Sequence, residues 1–304
     1  MRKTTLIRVL LIAGPFLAIV LLAHFLQPVL RDRAVRSDLA AVGDFERIDL
    51  PGVQVYHAGS VDPVLAADLG EYLRAFCGLL VEEWGRDFGL GRSSGGLVLQ
   101  VFESVQQLDI YHQSRFREEF HNLGGFYDAA GRLVAIPVPM DPIAPLATLF
   151  HEGTHLVFDL ASSGGIGRYP IWVNEGLATF FEGSRSAPDG SIRLGGKDMR
   201  AFALAKAALD SGRIASFDAM VQSGPAQFRG ERNADYYAAA HTLAAYLLLG
   251  EEGRFRTGFG RYVRELKTGG RSSPGLIYFK LDENRDALDE GWRRFISRSL
   301  EERS

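Results

Sequence analysis

The chain has 304 residues, 46% of them apolar and 23% charged, and a formal net charge of −3. That balance is ordinary for a globular protein. It lacks the clustered basic surface that a nucleic-acid partner requires, so no such partner is expected. The one cysteine, Cys77, excludes both an internal disulfide and a thiolate zinc site. Within the apolar stretch Tyr72 to Leu80 it reads as a buried small hydrophobe.

At the N-terminus, Arg2, Lys3 and Arg8 precede an apolar run from Val9 to Leu26, broken only by Gly14, Pro15 and His24. Its length approaches the roughly 20 residues that cross a bilayer as a helix. The run closes on Ala23-His24-Phe25-Leu26-Gln27-Pro28, a poor match to the small-residue site of a cleaved signal peptide. An uncleaved signal anchor is therefore expected over residues 1–30, with single-pass attachment to a membrane. A polar juxtamembrane linker containing Arg31, Arg33 and Arg36 is expected over residues 31–50, followed by one globular domain over residues 51–304. An extracytoplasmic position for that domain is the simpler arrangement.

Beyond the linker, Val53 to Tyr56 alternates as a short strand. Val64 to Trp84 carries Leu65, Leu69, Tyr72, Leu73, Phe76 and Leu80 at helical spacing. Residues 89–96 form a Gly/Ser loop, Leu97 to Phe102 a strand, and Gln106 to Phe116 a helix. Gly124 to Tyr127 and Arg132 to Ile136 flank Asp128-Ala129-Ala130-Gly131, which predicts a hairpin. Pro137, Pro139, Pro142 and Pro145 then interrupt regular structure. From Leu146 the pattern is helical: Leu146 to Leu160, Trp172 to Glu182, Met199 to Leu209, Tyr236 to Leu249, Phe255 to Leu266 and Asp282 to Leu300. The expected fold is α+β, a small N-terminal sheet subdomain followed by a helical one.

His151-Glu152-Gly153-Thr154-His155 lies on the first of these helices. Residues four apart share one helical face, with Cβ atoms about 5–6 Å apart, so both imidazoles can converge on one ion. Glu152 reaches the edge of the same site without ligating, the placement of a general base. The flanks Leu149-Phe150 and Leu156-Val157-Phe158 bury the helix, and buried polar groups need partners. A catalytic zinc needs a third protein ligand and one open position. Glu175 is the candidate, opening the apolar helix Trp172-Val173-Asn174-Glu175-Gly176-Leu177-Ala178. Gly176 and Ala178 permit close helix approach. The other reading of Glu175 is an acid favoured by the helix dipole.

The two blocks H-E-G-T-H and W-V-N-E-G-L-A-T-F-F-E resemble the gluzincins, metallopeptidases with a glutamate third ligand. The second is similar to the W-L-N-E-G-F-A block of alanyl-aminopeptidases, although the interval from His155 to Glu175 is one residue longer here. With the G-G-F-Y hairpin, residues 95–300 resemble uncharacterised gluzincin-like domains of the peptidase-MA clan. The resemblance implies a thermolysin-like catalytic domain with Zn2+ held by His151, His155 and Glu175. It implies Glu152 as general base and proton donor, and Tyr237 as the group that polarises the carbonyl or stabilises its oxyanion. Tyr236 on a neighbouring face is an alternative to Tyr237, and Tyr237 could equally be a core aromatic. His241 lies one turn beyond, either facing the cleft or packing. Thr179, and more weakly Asp159, are candidate partners of a ligand histidine. One departure stands out: Tyr127 occupies the place of the glutamate that holds a free substrate amine in aminopeptidases, so aminopeptidase specificity does not follow. An edge strand there could still pair with an extended peptide.

The expected activity is zinc-dependent hydrolysis of a peptide or protein substrate, by Glu-assisted attack of water. The other readings are a non-catalytic zinc-binding scaffold and a zinc hydrolase of a non-peptide amide or ester.

Overall fold

A computed structural model describes residues 29–91, 96–117, 124–138, 144–187 and 189–301. The apolar run Val9 to Leu26 lies outside them. No helix among the described residues is long and apolar enough to cross a membrane. The fold is α+β, with a five-stranded mixed sheet and predominantly helical structure after it.

Helix α1 spans 29–39, and β1 (Phe45–Leu50) and β2 (Val53–Ala58) pair as an antiparallel hairpin. Helix α2 (Pro63–Phe88) crosses over to β3 (Leu97–Phe102), parallel to β2. Helix α3 (Val105–Phe116) leads to β4 (Phe126–Asp128) and β5 (Leu133–Pro137). β5 pairs parallel to β3, and β4 forms the antiparallel edge, in the order β1-β2-β3-β5-β4. Residues 31–50 therefore differ from the expected polar linker. They hold most of α1 and all of β1, and Val35 and Leu39 are buried against the sheet. Alternation along β3 explains the layering. Val98 and Phe102 face α1 and α3, whereas Leu99 and Val101 face α2 and the helical unit.

The helical unit begins with α4 (Ala144–Ala161) and α5 (Ile171–Glu182), linked by a short 3-10 turn at Ile166–Arg168. A two-stranded ribbon, β6 (Arg185–Ser186) and β7 (Ile192–Arg193), precedes α6 (Met199–Asp210). The short helices α7 (Phe217–Val221) and α8 (Pro225–Arg229) lead to α9 (Asn233–Leu249). Then follow α10 (Arg256–Lys267), α11 (Pro274–Leu281) and α12 (Arg285–Glu301). The helix expected over 282–300 is α12, starting three residues later, and α11 before it had not been expected. Asp282 takes a left-handed conformation at φ 55° and closes α11.

Helix α9 is apolar on every side and forms the axis of this unit. Gly176 faces it rather than α4: a Cβ there would lie 2.7 Å from the Ala240 carbonyl oxygen. Gly153 gives α4 its approach to α2, where a Cβ would meet Leu73 and Phe76 at 3.1 and 3.2 Å. These glycines bring two helix pairs, α5 with α9 and α4 with α2, into close contact.

Candidate metal centre

Helix α4 carries His151 and His155 on the face turned to α5, with ring centroids 4.9 Å apart. Glu175, in the second turn of α5, sends its carboxylate between them. One oxygen lies 3.6 Å from His151 Nε2 and the other 3.9 Å from His155 Nε2. One ligand atom from each residue can be chosen so that all three lie within 4.8 Å of one another. Ligands about 2.0–2.1 Å from one tetrahedral zinc lie about 3.4 Å apart, so a small inward rotation of these side chains closes the set.

The outer imidazole nitrogens are also occupied. His151 Nδ1 is 3.0 Å from a Glu182 carboxylate oxygen, and His155 Nδ1 is 2.9 Å from Asn174 Oδ1. Both partners are acceptors, so each Nδ1 carries a proton and each Nε2 faces Glu175; the His151 Nε2 offers its lone pair once its own proton is displaced. With Nδ1 protonated, the neutral ring binds a metal through Nε2, and such outer partners fix ring orientation. The donor set fits a divalent ion of the zinc type.

The partners are not those expected from sequence. Thr179 turns its hydroxyl back to the Glu175 carbonyl at 2.7 Å. Asp159 accepts from the Tyr127 hydroxyl at 2.9 Å and from the Ile166 N–H at 2.6 Å. Neither reaches a ligand histidine. Glu182 and Asn174 do, and both had a sequence signal. Glu182 lies seven residues beyond Glu175, almost two full helical turns and so on the same face. Asn174 is the neighbour of the ligand.

Glu152 is buried, with its carboxylate accepting from the backbone N–H of Tyr127 on β4. Burial, with Glu175 and Glu182 nearby, raises its pKa to about 7 despite His151. The imidazoles diverge. Burial pulls His155 down to about 4. Burial also opposes charge on His151, but Glu175, Glu182 and Glu152 outweigh it and hold His151 well above its ordinary value. Glu175 is desolvated, yet His151, His155 and Tyr237 keep it below the usual carboxylate value. A dication among these groups would replace the His151–Glu175 attraction and favour ionised Glu152.

Tyr237, in the second turn of α9, presents its hydroxyl to the Glu175 carboxylate. Burial first, then Glu175 and Glu152, raise this phenol well above its ordinary value, so it is a fixed O–H donor. Its ring packs on Phe228, 5.2 Å between centroids, and Phe228 also packs on Tyr236. His241 takes the packing role: its Nε2 accepts from the Asp198 N–H at 3.0 Å, tying α9 to the start of α6. Cys77 is buried and free.

A family model described as a protein of unknown function (DUF1570) matches residues 145–267. The match runs from the first turn of α4 to the end of α10 and contains every side chain of the centre. No curated protein matches the chain.

Proposed function

We propose that the chain is a zinc-dependent hydrolase of gluzincin type, acting as a membrane-anchored peptidase. One observation carries this reading: two histidine Nε2 atoms and a Glu175 carboxylate converge, with both outer nitrogens already held by Glu182 and Asn174. A structural zinc site is closed by four protein ligands. Among the described residues the group that could hold an ion has three, His151, His155 and Glu175. That leaves a position for water or substrate. The ion, when bound, would supply Lewis-acid polarisation of a water and of the scissile carbonyl.

The remaining chemistry falls to the protein's own groups. Glu152, one residue along from His151 and held by the Tyr127 N–H, takes a proton from the attacking water. It then returns that proton to the leaving amine. Tyr237 donates its O–H to negative charge developing on the carbonyl oxygen. Helices α4, α5 and α9 keep these groups dry, which strengthens each interaction. The apolar run ahead of α1 supports attachment to a bilayer.

The test is digestion of a diverse peptide library, with and without chelator, by the wild-type chain and by Glu152→Gln. Cleavage should require metal and fall at least a hundredfold in the variant, while zinc content is unchanged. A zinc-loaded wild type that cleaves no peptide would defeat the peptidase reading.

A further inference from the structure

We propose that the sheet edge formed by the starts of β2, β3 and β5 faces the bilayer, with anionic lipid headgroups as its partner. The inference rests on the anchoring half of the reading above and is independent of the chemistry at the metal centre.

The argument begins with Arg31 in the first turns of α1. Its guanidinium donates to the carbonyls of Gly131 at 2.7 Å, Arg132 at 3.2 Å and Gly96 at 3.3 Å. These carbonyls immediately precede β5 and β3, and the Leu97 N–H donates to Gly52 at the start of β2. One side chain thus ties the beginning of α1 to the edge where three parallel strands begin. Farther along, Asp32 accepts from the Tyr56 hydroxyl at 2.6 Å, and Val35 and Leu39 are buried on the sheet. Arg115 pairs with Asp38. Each turn of α1 has its own attachment, so the helix cannot swing away from the sheet.

The apolar run ends at Leu26, and only Gln27 and Pro28 separate it from Val29. Three residue steps reach at most about 11 Å. Val29 and Leu30 are 62% and 61% exposed, large apolar side chains at the end of α1 that adjoins the run. An anchor so short, entering a helix so firmly held, sets the orientation of the whole domain.

The surface presented there suits headgroups. Arg33 and Arg132 are exposed at this end, Arg132 at the tip of the β4–β5 hairpin, while Arg36 is paired with Asp32. The acids there are all paired with arginines: Asp32 with Arg36 and Arg47, Asp49 with Arg47, and Asp128 with Arg115. Basic side chains beside a span are drawn to anionic lipid. The metal centre lies close to this edge. Tyr127, whose N–H holds Glu152, pairs with Val134, one residue in from the strand start at Leu133.

Depth-dependent quenching of a thiol-linked fluorophore tests the orientation. The full chain would be reconstituted in phosphatidylcholine–phosphatidylserine vesicles carrying a headgroup nitroxide. Cys77 stays in place, because burial pushes its thiol up to about 12 and keeps it from labelling. One variant, Ala130→Cys, labels the hairpin tip. The other, Val64→Cys, labels the exposed start of α2 at the opposite edge of the sheet. Quenching should be several-fold greater at position 130 than at position 64. Equal or reversed quenching in chains that float with the vesicles would overturn the orientation while leaving the anchor intact. Failure to float would remove the anchor, and the proposal with it.

Discussion

The two faces of the five-stranded sheet are held by different kinds of interaction. On the α1 and α3 face a small apolar cluster around Tyr56, Phe102 and Tyr111 is ringed by ion pairs. Arg47 binds Asp32 and Asp49, and Arg115 binds Asp128 at 2.6 Å. On the other face α2, α4, α5 and α9 form a large core rich in aromatic rings, with Phe76 on Phe150 and Trp84 against Phe180 and Phe181. Glycines there bring backbones together. The ion pairs of the first face are the contacts that salt and acid weaken. The second cannot move without moving the metal centre, because the same helices supply both the core and the ligands.

The largest separation between the two faces is expected from the centre itself. His155→Ala or Glu175→Gln removes one of the three residues that, among the described residues, could hold the proposed zinc, so zinc content should fall from about one per chain to near zero. Metal analysis after gel filtration reads this directly. Retention of full zinc by either variant would mean that the ion binds elsewhere. Next come the outer partners. Glu182→Ala and Asn174→Ala leave each histidine in place but free to turn, and should weaken zinc binding about 10–100-fold. A chelator competition measures the change. Thr179→Ala, by contrast, should leave affinity where it was, because its hydroxyl serves its own helix.

Packing on the second face gives a smaller but still clear effect. In Gly176→Ala the new Cβ meets the Ala240 carbonyl oxygen at 2.7 Å, a backbone atom that cannot rotate away. The expected loss is about 1–3 kcal/mol of stability. Because α9 carries Tyr237 opposite Glu175, the strain should also reach the centre. Gly78→Ala is the control. It lies on the exposed side of α2 with nothing within 4 Å, and should stabilise by up to about 1 kcal/mol. Equal melting temperatures for these two variants would argue against the close α5–α9 contact.

The same contrast explains what could be read from the sequence. The core-facing elements advertised themselves: β3 is apolar apart from Gln100, and α4 and α5 bury their motifs among aromatic and aliphatic flanks. Two of the elements that went unread, α1 and β1, belong to the ion-paired face; the others, β6, β7, α7, α8 and α11, are short pieces of the helical unit. In β1 only Phe45, Ile48 and Leu50 are apolar among Glu46, Arg47 and Asp49, and α1 offers only Val35 and Leu39 to the core. Their attachment is made by charged side chains, whose partners are distant in sequence and leave no periodic signal. Arg31 reaches 100 residues along the chain to Gly131. Within the centre, the shared face of His151 and His155 followed from helical spacing, and Glu175 was singled out as an acid in an apolar helix. The outer partners depended on rotamers: Thr179 and Asp159 stood at suitable spacings, but each hydrogen-bonds elsewhere.

The smallest effect is expected where the first face is most exposed. Asp32 accepts from Tyr56, Arg47 and Arg36, and although partial burial opposes ionisation, these partners hold its carboxyl below the ordinary 3.8. A carboxyl with a lowered folded pKa contributes stability in full above the unfolded value. That contribution fades as pH falls below about 4 through the folded value. Asp32→Asn should therefore lower stability near neutrality by on the order of 0–1 kcal/mol, as exposed ion pairs usually do. Denaturant melts of the two proteins should converge as pH drops below about 4, and the difference should shrink in molar salt. Zinc affinity should not change, since nothing in this network reaches α4 or α5 directly. An Asp32→Asn chain that lost zinc binding would show that the two faces are coupled after all, through the β-sheet they share.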